Sequence, residues 1–186
     1  VYGRRGSWQI FRGFCHAHAG WLAASGSESR LRYTYDLARD PVACWINKRY
    51  WWLVLTGFFL PTMLGGLLTW SGQGALLGFI WGGVVRMCLG HDVTWSINSV
   101  CPLFGRKNFR TPTDDASGDV GWLGLFSLGE SYHNGHHAHQ TSARHGLSRG
   151  QIDLSWWFIC LMERLGLAWD VHLPAASDLA TKRIPA

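Results

Sequence analysis

Between residues 50 and 85 the chain carries no charged side chain, and over its 186 residues only 16% are Asp, Glu, Lys or Arg. Ordinary soluble domains hold roughly 25%. This scarcity excludes a well-solvated surface along that stretch and argues against a buried soluble helical hairpin. Paired cysteines are missing as well. Cys15, Cys44, Cys88, Cys101 and Cys160 are odd in number, scattered and without a C-x-x-C spacing. That pattern excludes a zinc ribbon, argues against a disulfide framework and leaves buried free thiols as the expectation. Much of the formal charge of +5 lies in short basic clusters (Arg4-Arg5, Lys48-Arg49, Arg106-Lys107, Lys182-Arg183). With no long basic run and no stacking aromatics on a basic strand, nucleic acid is not an expected partner. No internal repeat or low-complexity tract is visible, and nothing at the start of the sequence resembles a signal peptide. The chain starts at Val1 rather than Met, which suggests part of a longer protein, and its length suits a single domain.

Apolar residues are plentiful, at 47% of the chain with twelve tryptophans. A membrane span needs about 20 apolar residues, so the uncharged stretch is long enough for two. Gly72-Gln73-Gly74 is the natural turn, giving spans near 51–70 and 75–95. Tyr50, Trp51, Trp52 and Trp70 crowd the ends, where rings meet headgroups, and Lys48-Arg49 and Arg106-Lys107 place both ends on the cytoplasmic side. Pro61 and Gly65-Gly66 inside the first span are better tolerated in membrane helices than in soluble ones. Arg86 and His91 belong toward the far end of the second, facing water or protein. Residues 1–20 read as a loop and 22–33 as a polar turn, followed by a helix over 31–49 that breaks or restarts at Pro41. Beyond Cys101 the pattern predicts a polar loop over 108–121 and helices over 122–139 and 152–167. The expected fold is an all-α membrane protein, a transmembrane helical hairpin plus a cytoplasmic helical cap over 96–186, with the whole chain in one domain.

The chemistry concentrates in Glu130-Ser-Tyr-His133-Asn134-Gly135-His136-His137. On a helix, offsets of zero, three and four share one face, so three imidazoles can converge. Such a nitrogen-rich group suits iron, zinc, copper or nickel rather than calcium or magnesium. Glu130, three residues before His133, is either a carboxylate that orients an imidazole or a solvated helix-face acid. His139 and His145 follow outside the tight group, and His16 and His18 read as structural.

Thr94-Trp95-Ser-Ile-Asn98-Ser99, Gly105 and the 130–137 string together resemble the membrane fatty acyl desaturases of the stearoyl-CoA desaturase type, the bacterial members most. Phe14-Cys-His16-Ala-His18-Ala-Gly20-Trp21, Lys48-Arg49-Tyr50 and Leu165-Gly-Leu-Ala-Trp-Asp170 carry the same resemblance, so it runs in order from about Phe11 to Pro174. It implies a four-span helical membrane protein with a cytoplasmic cap holding two irons through histidine boxes. Such a protein uses oxygen and two electrons from a donor such as ferredoxin, cytochrome b5 or a reductase to remove two hydrogens from an acyl chain. On that reading His133, His136 and His137 are iron ligands and Asn98 holds an iron through a water. Thr94 and Trp95 then line the bend of an acyl tunnel.

The chain also departs from the pattern. Two boxes, H-x-x-x-x-H and H-x-x-H-H, are absent, the second falling just before Val1 when Gly13-Phe14 is aligned. Pro102 stands where the family has a histidine ligand. Ser25 and Gly26 stand where animal members carry a basic pair for CoA phosphates, which leaves the acyl carrier open between CoA and another. The stretch Asp115-Ala-Ser-Gly-Asp119 is altered from the bacterial string. The expectation is therefore an incomplete or degenerate desaturase with at most partial iron occupancy, inactive alone. A catalytically silent desaturase-like membrane protein, or a lipid hydroxylase on the same scaffold, are the alternatives.

Overall fold

The computed structural model describes residues 6–23, 34–113 and 115–185. Arg4-Arg5, most of the expected turn over 22–33 with Ser25 and Gly26, and residues 31–33 of the expected helix lie outside them. The chain divides into two compact units, one of Val1–Ala23 with Asp92–Ala186 and one of Ala24–His91. Among the described residues every extended element is helical, and β structure is confined to isolated bridges.

The second unit is built on two helices. A short helix, Pro41–Lys48, leads in. Asp40 caps it by accepting from Ala43 N at 2.7 Å, and Pro41 occupies the first turn, where its missing N–H costs nothing. The helix expected from residue 31 is therefore turn structure over 35–39 and helix only from Pro41. Next come Tyr50–Thr69 and Gly72–Ser99, both long and apolar enough to cross a membrane. Little of either is buried. No residue of the first is buried, and Trp51, Leu68 and Trp70 are 73%, 80% and 88% exposed. An apolar band of that size needs lipid or a partner to cover it.

The turn between these helices falls two residues earlier than expected. Trp70 ends the first with a left-handed φ of 49°, and Ser71 caps the second by accepting from Gly74 N at 3.0 Å. Gly72, Gln73 and Gly74 are already helical. The helices touch through small residues: a Cβ on Gly65 would collide with the Gly74 carbonyl, and one on Gly78 with the Pro61 carbonyl. Close backbone approach of this kind is how apolar helices associate where lipid removes the hydrophobic drive. The second helix is wound as a π-helix over Gly78–Val85, beside Pro61.

Pro61 has no N–H for the carbonyl of Gly57, one turn back. Arg86 fills the gap, its Nη2 donating to Gly57 O at 3.1 Å while its Nε donates to Gly82 O at 2.7 Å. The residue that looked like an isolated charge at a span's end is thus a backbone-satisfying group. We expect Arg86→Leu to cost about 1–3 kcal/mol by orphaning that carbonyl. Pro61→Ala in the same chain should return part of it, because an alanine N–H can reclaim Gly57 O. Chemical denaturation in detergent of the two single variants and the double checks this. Strict additivity would sink it.

The first unit contains the helix Ser7–His18, where the sequence predicted a loop. His18 holds it against the end of the long apolar helix, with Nδ1 2.9 Å from Ser99 Oγ and Nε2 3.4 Å from Asp92. The ring stacks on Phe14 and meets Trp95 edge-on. Beyond Ser99 follow the short helices Cys101–Phe104, Gly121–Phe126, His133–Ala138, Leu154–Arg164 and Ala176–Lys182, joined by irregular chain. The helix expected over 122–139 is thus two helices broken by a turn at 127–132, where Leu128 and Gly129 have positive φ.

Ile97, Cys101, Val120 and Leu123 form the small apolar core of this unit. Of the five cysteines only Cys101 is buried; Cys15 and Cys88 are exposed. Burial, then the Asp119 carboxylate, pushes the Cys101 thiol up to about 12. Since the thiolate is the nucleophile, Cys101 should resist alkylation at pH 8 in the folded protein while Cys15 reacts. Peptide mass analysis after brief iodoacetamide treatment reads this directly.

Candidate metal centre

The helix His133–Ala138 is only six residues long and has no propensity to form alone. Two buried polar side chains build it into place. Asp119 Oδ1 accepts from Asn134 N at 2.8 Å and Gly135 N at 3.3 Å, satisfying N–H groups in the first turn. Its Oδ2 accepts from Asn108 Nδ2 at 2.6 Å and Gln151 Nε2 at 2.9 Å. Asn134, fully buried, works from the helix outward: Oδ1 accepts from the Asn108 and Phe109 N–H groups at 2.8 and 2.7 Å, and Nδ2 donates to Phe109 O at 3.1 Å. Thus Asn134, one residue after His133, is an anchor, and its amide fixes the face that the histidines present.

The imidazoles do cluster. Ring centroids are 4.3 Å apart for His133 and His137, 5.8 Å for His136 and His137, and 6.2 Å for His133 and His136. Burial, then the neighbouring His137 and His136, lowers His133 to about 4. Burial, then His145 and His137, also lowers His136. Both rings are therefore neutral at pH 7, the form that ligates a metal. His137 Nδ1 lies 2.5 Å from Asp115 Oδ2. Burial pushes the Asp115 carboxyl up, but hydrogen bonds from Ser117 Oγ and N and the contact with His137 outweigh it and hold it well below the usual carboxylate range. An ionised carboxylate accepting at Nδ1 leaves Nε2 of His137 with its lone pair free for an ion.

His136 Nδ1 is buried without a hydrogen-bond partner. An orphaned polar atom of that kind costs about 1–3 kcal/mol unless a ligand takes it. The donor set therefore suits a nitrogen-ligated transition ion. It is incomplete as it stands: among the described residues no group of three His, Cys, Asp or Glu side chains is drawn together closely enough to hold one ion.

No protein-family model matches the chain. Several curated relatives cover most of it. It is 38% identical over 179 residues to a hex-5-enoyl-[acyl-carrier protein] acetylenase of Moorena producens (96% of this chain, 55% of the relative). It is 38% identical over 172 residues to delta-9 acyl-lipid desaturase 1 of Arabidopsis thaliana (89% and 52%). A third match is 35% identical over 164 residues to the sn-1 stearoyl-lipid 9-desaturase of Anabaena variabilis (87% and 56%). The chain belongs to the fatty acyl desaturase family. It spans about half the length of the curated relatives it matches.

Within this desaturase segment the other expected residues are placed less tightly. Asn98 is exposed on the long apolar helix, and among the described residues no hydrogen bond joins it to an imidazole. Thr94, one turn earlier, is exposed, and Trp95 is half-buried against His18. Pro102 sits in the first turn of the short helix Cys101–Phe104. Glu130 is an exposed residue of the turn before the histidine helix, so the solvated reading holds and Asp115 is the orienting acid. Asp115 and His137 lie 22 positions apart in sequence, a separation that helical spacing never flags. The anchoring roles of Asp119 and Asn134 were missed for the same reason. The alternation of acids in Asp115-Ala-Ser-Gly-Asp119 was the only visible signal.

His139 leaves the helix at its C-terminus. It is buried, edge-on to Phe109 with centroids 5.5 Å apart, and lowered first by burial and then by Lys182.

Proposed function

We propose that this chain is the histidine-box portion of a membrane fatty acid desaturase that introduces a cis double bond into a saturated acyl chain. The observation that carries the reading is the imidazole cluster, with His136 Nδ1 orphaned and the His137 ring against Asp115, in a chain 35–38% identical to named acyl desaturases. His133, His136 and His137 would hold iron, with Asn98 contributing through a water. Bound there, iron would supply the oxidising power, with oxygen and two external electrons, needed to break unactivated C–H bonds. The remaining work belongs to the protein. Asp115 keeps His137 in one tautomer, Asp119 and Asn134 hold the box helix rigid, and Thr94 and Trp95 contact the acyl chain. The Tyr50–Thr69 and Gly72–Ser99 helices cross the bilayer, and residues 96–186 face the cytoplasm, the side to which basic pairs such as Lys48-Arg49 and Arg106-Lys107 are drawn. The partners are a fatty acyl substrate on CoA, lipid or another carrier, the bilayer, and a donor such as ferredoxin, cytochrome b5 or a reductase.

Expression of the intact protein in a desaturase-deficient host, followed by gas chromatography of total fatty acids, tests this. A new monounsaturated acid that disappears with His136→Ala supports it. Hydroxylated products would instead support a hydroxylase on the same scaffold. A second reading, a silent desaturase-like membrane protein, is favoured by Pro102 at an expected ligand position and by the incomplete ligand group. Unchanged fatty acids together with an iron-free purified protein would establish that reading.

A further inference from the structure

The geometry points to His145 as a fourth imidazole of this metal centre, supplied by the loop that follows the box helix. The inference rests on the proposed metal-binding function and deepens it. His145 and His136 have ring centroids 4.7 Å apart, closer than His136 lies to either His133 or His137. Taken by nearest neighbour, the four rings follow the order His133, His137, His136, His145, with centroids 4.3, 5.8 and 4.7 Å apart.

The position of His145 is built. Asp153, 3% exposed, accepts from His145 N at 2.8 Å and Gly146 N at 2.9 Å through Oδ2, while its Oδ1 caps the helix Leu154–Arg164 by accepting from Trp156 N at 2.9 Å. One buried carboxylate thus clamps the loop to a helix terminus. From the other side the loop is pressed onto the box helix itself. A Cβ added to Gly135 would lie 2.6 Å from the His145 carbonyl oxygen, so only glycine at this place in the box lets the two backbones approach. Held at both sides, the His145 ring stands beside His136.

A purely structural histidine in that position would be expected to satisfy its neighbour, and it does not. His136 Nδ1 remains buried without a partner, and among the described residues no hydrogen bond engages the His145 ring. The two rings lie side by side without bonding one another, and the cost of an unpaired buried nitrogen falls on His136 Nδ1. An ion held between the two rings would satisfy that nitrogen.

The test uses the intact purified protein loaded with Co(II), whose visible ligand-field bands report coordinating nitrogens without any turnover. His145→Ala is expected to lower Co(II) affinity at least tenfold and to shift those bands, whereas Leu147→Ala on the same loop leaves them unchanged. Should His145→Ala compromise folding, the wild-type protein still decides the matter. Mass-spectrometric footprinting with diethylpyrocarbonate should show His145 modified in the metal-free protein and protected after Co(II) loading. Unaltered bands and affinity in a folded His145→Ala protein, or no protection of His145 on loading, would overturn the assignment while leaving the three-histidine centre standing. If His133→Ala and His136→Ala also leave Co(II) binding untouched, the failure belongs to the metal-centre reading and not to His145 alone.

Discussion

His136→Ala should reduce metal affinity by about 100-fold or more, and the graded behaviour of its neighbours is the sharper expectation. Asp115→Asn removes only the acceptor that fixes the His137 tautomer, so a loss of about 10–100-fold is expected, as for other outer-sphere partners. Glu130→Gln changes an exposed turn residue and should be silent. His139→Ala deletes a ring packed on Phe109, which affects stability and leaves affinity close to wild type. Competitive Co(II) titration of the intact protein against a chromophoric chelator ranks all four. Equal losses for His136→Ala and His139→Ala would remove the ground for treating the cluster as a ligand set, and a silent Asp115→Asn would detach the carboxylate from it.

Asp119→Ala should be the most destabilising single change in this unit. It strips one acceptor from four donors at once: Asn134 N, Gly135 N, Asn108 Nδ2 and Gln151 Nε2. Asp119 is 6% exposed, so water reaches these groups poorly. Each donor left buried without a partner costs about 1–3 kcal/mol, and since they share one cavity the sum falls short of additive. A total on the order of 3–5 kcal/mol is expected. For a unit of this size that corresponds to a melting temperature lower by roughly 10–20 °C. Asp119→Asn keeps the shape but must turn two donors toward donors, so it should recover less than half. Thermal denaturation followed by far-UV circular dichroism reads both. A drop below about 1 kcal/mol for the alanine variant would show that the box helix is held by something other than this carboxylate.

The two effects are linked. Because the six-residue helix owes its existence to Asp119 and Asn134, a variant at Asp119 should lose metal affinity as well as stability, in the same concentration range of denaturant. Asp115→Asn should instead lose affinity with little change in melting. That separation distinguishes a residue that builds the helix from one that orients a single ring.

Much of the frame was legible before any coordinates. A stretch free of charge from 50 to 85, with aromatics at its ends, carries its own period and length, and two helices long enough for a bilayer are what those residues form. Boundaries were less legible. The turn moved from Gly72–Gly74 to Trp70–Ser71 because a serine cap and one left-handed residue close it, and neither leaves a hydropathy signal. The 1–20 region read as loop because its helix, Ser7–His18, is held by long-range contacts of His18 with Ser99 and Asp92. The single helix expected over 122–139 broke at Leu128 and Gly129 for a related reason: Gly129 packs against Asp153, far ahead in sequence.

Spacing alone pointed to His133, His136 and His137 gathering, since offsets of three and four meet on any helical turn, and residue types alone pointed to a nitrogen-loving metal as the ion to test there. Tertiary structure decided everything that depends on residues distant along the chain. It chose Asp115 over Glu130 as the orienting acid, hung the box helix on Asp119 and Asn134, and brought His145 beside His136 through the clamp at Asp153. Local periodicity is a property of neighbours within a turn or two. A hydrogen-bonded carboxylate buried among loops is a property of the folded chain, and no window of sequence contains it.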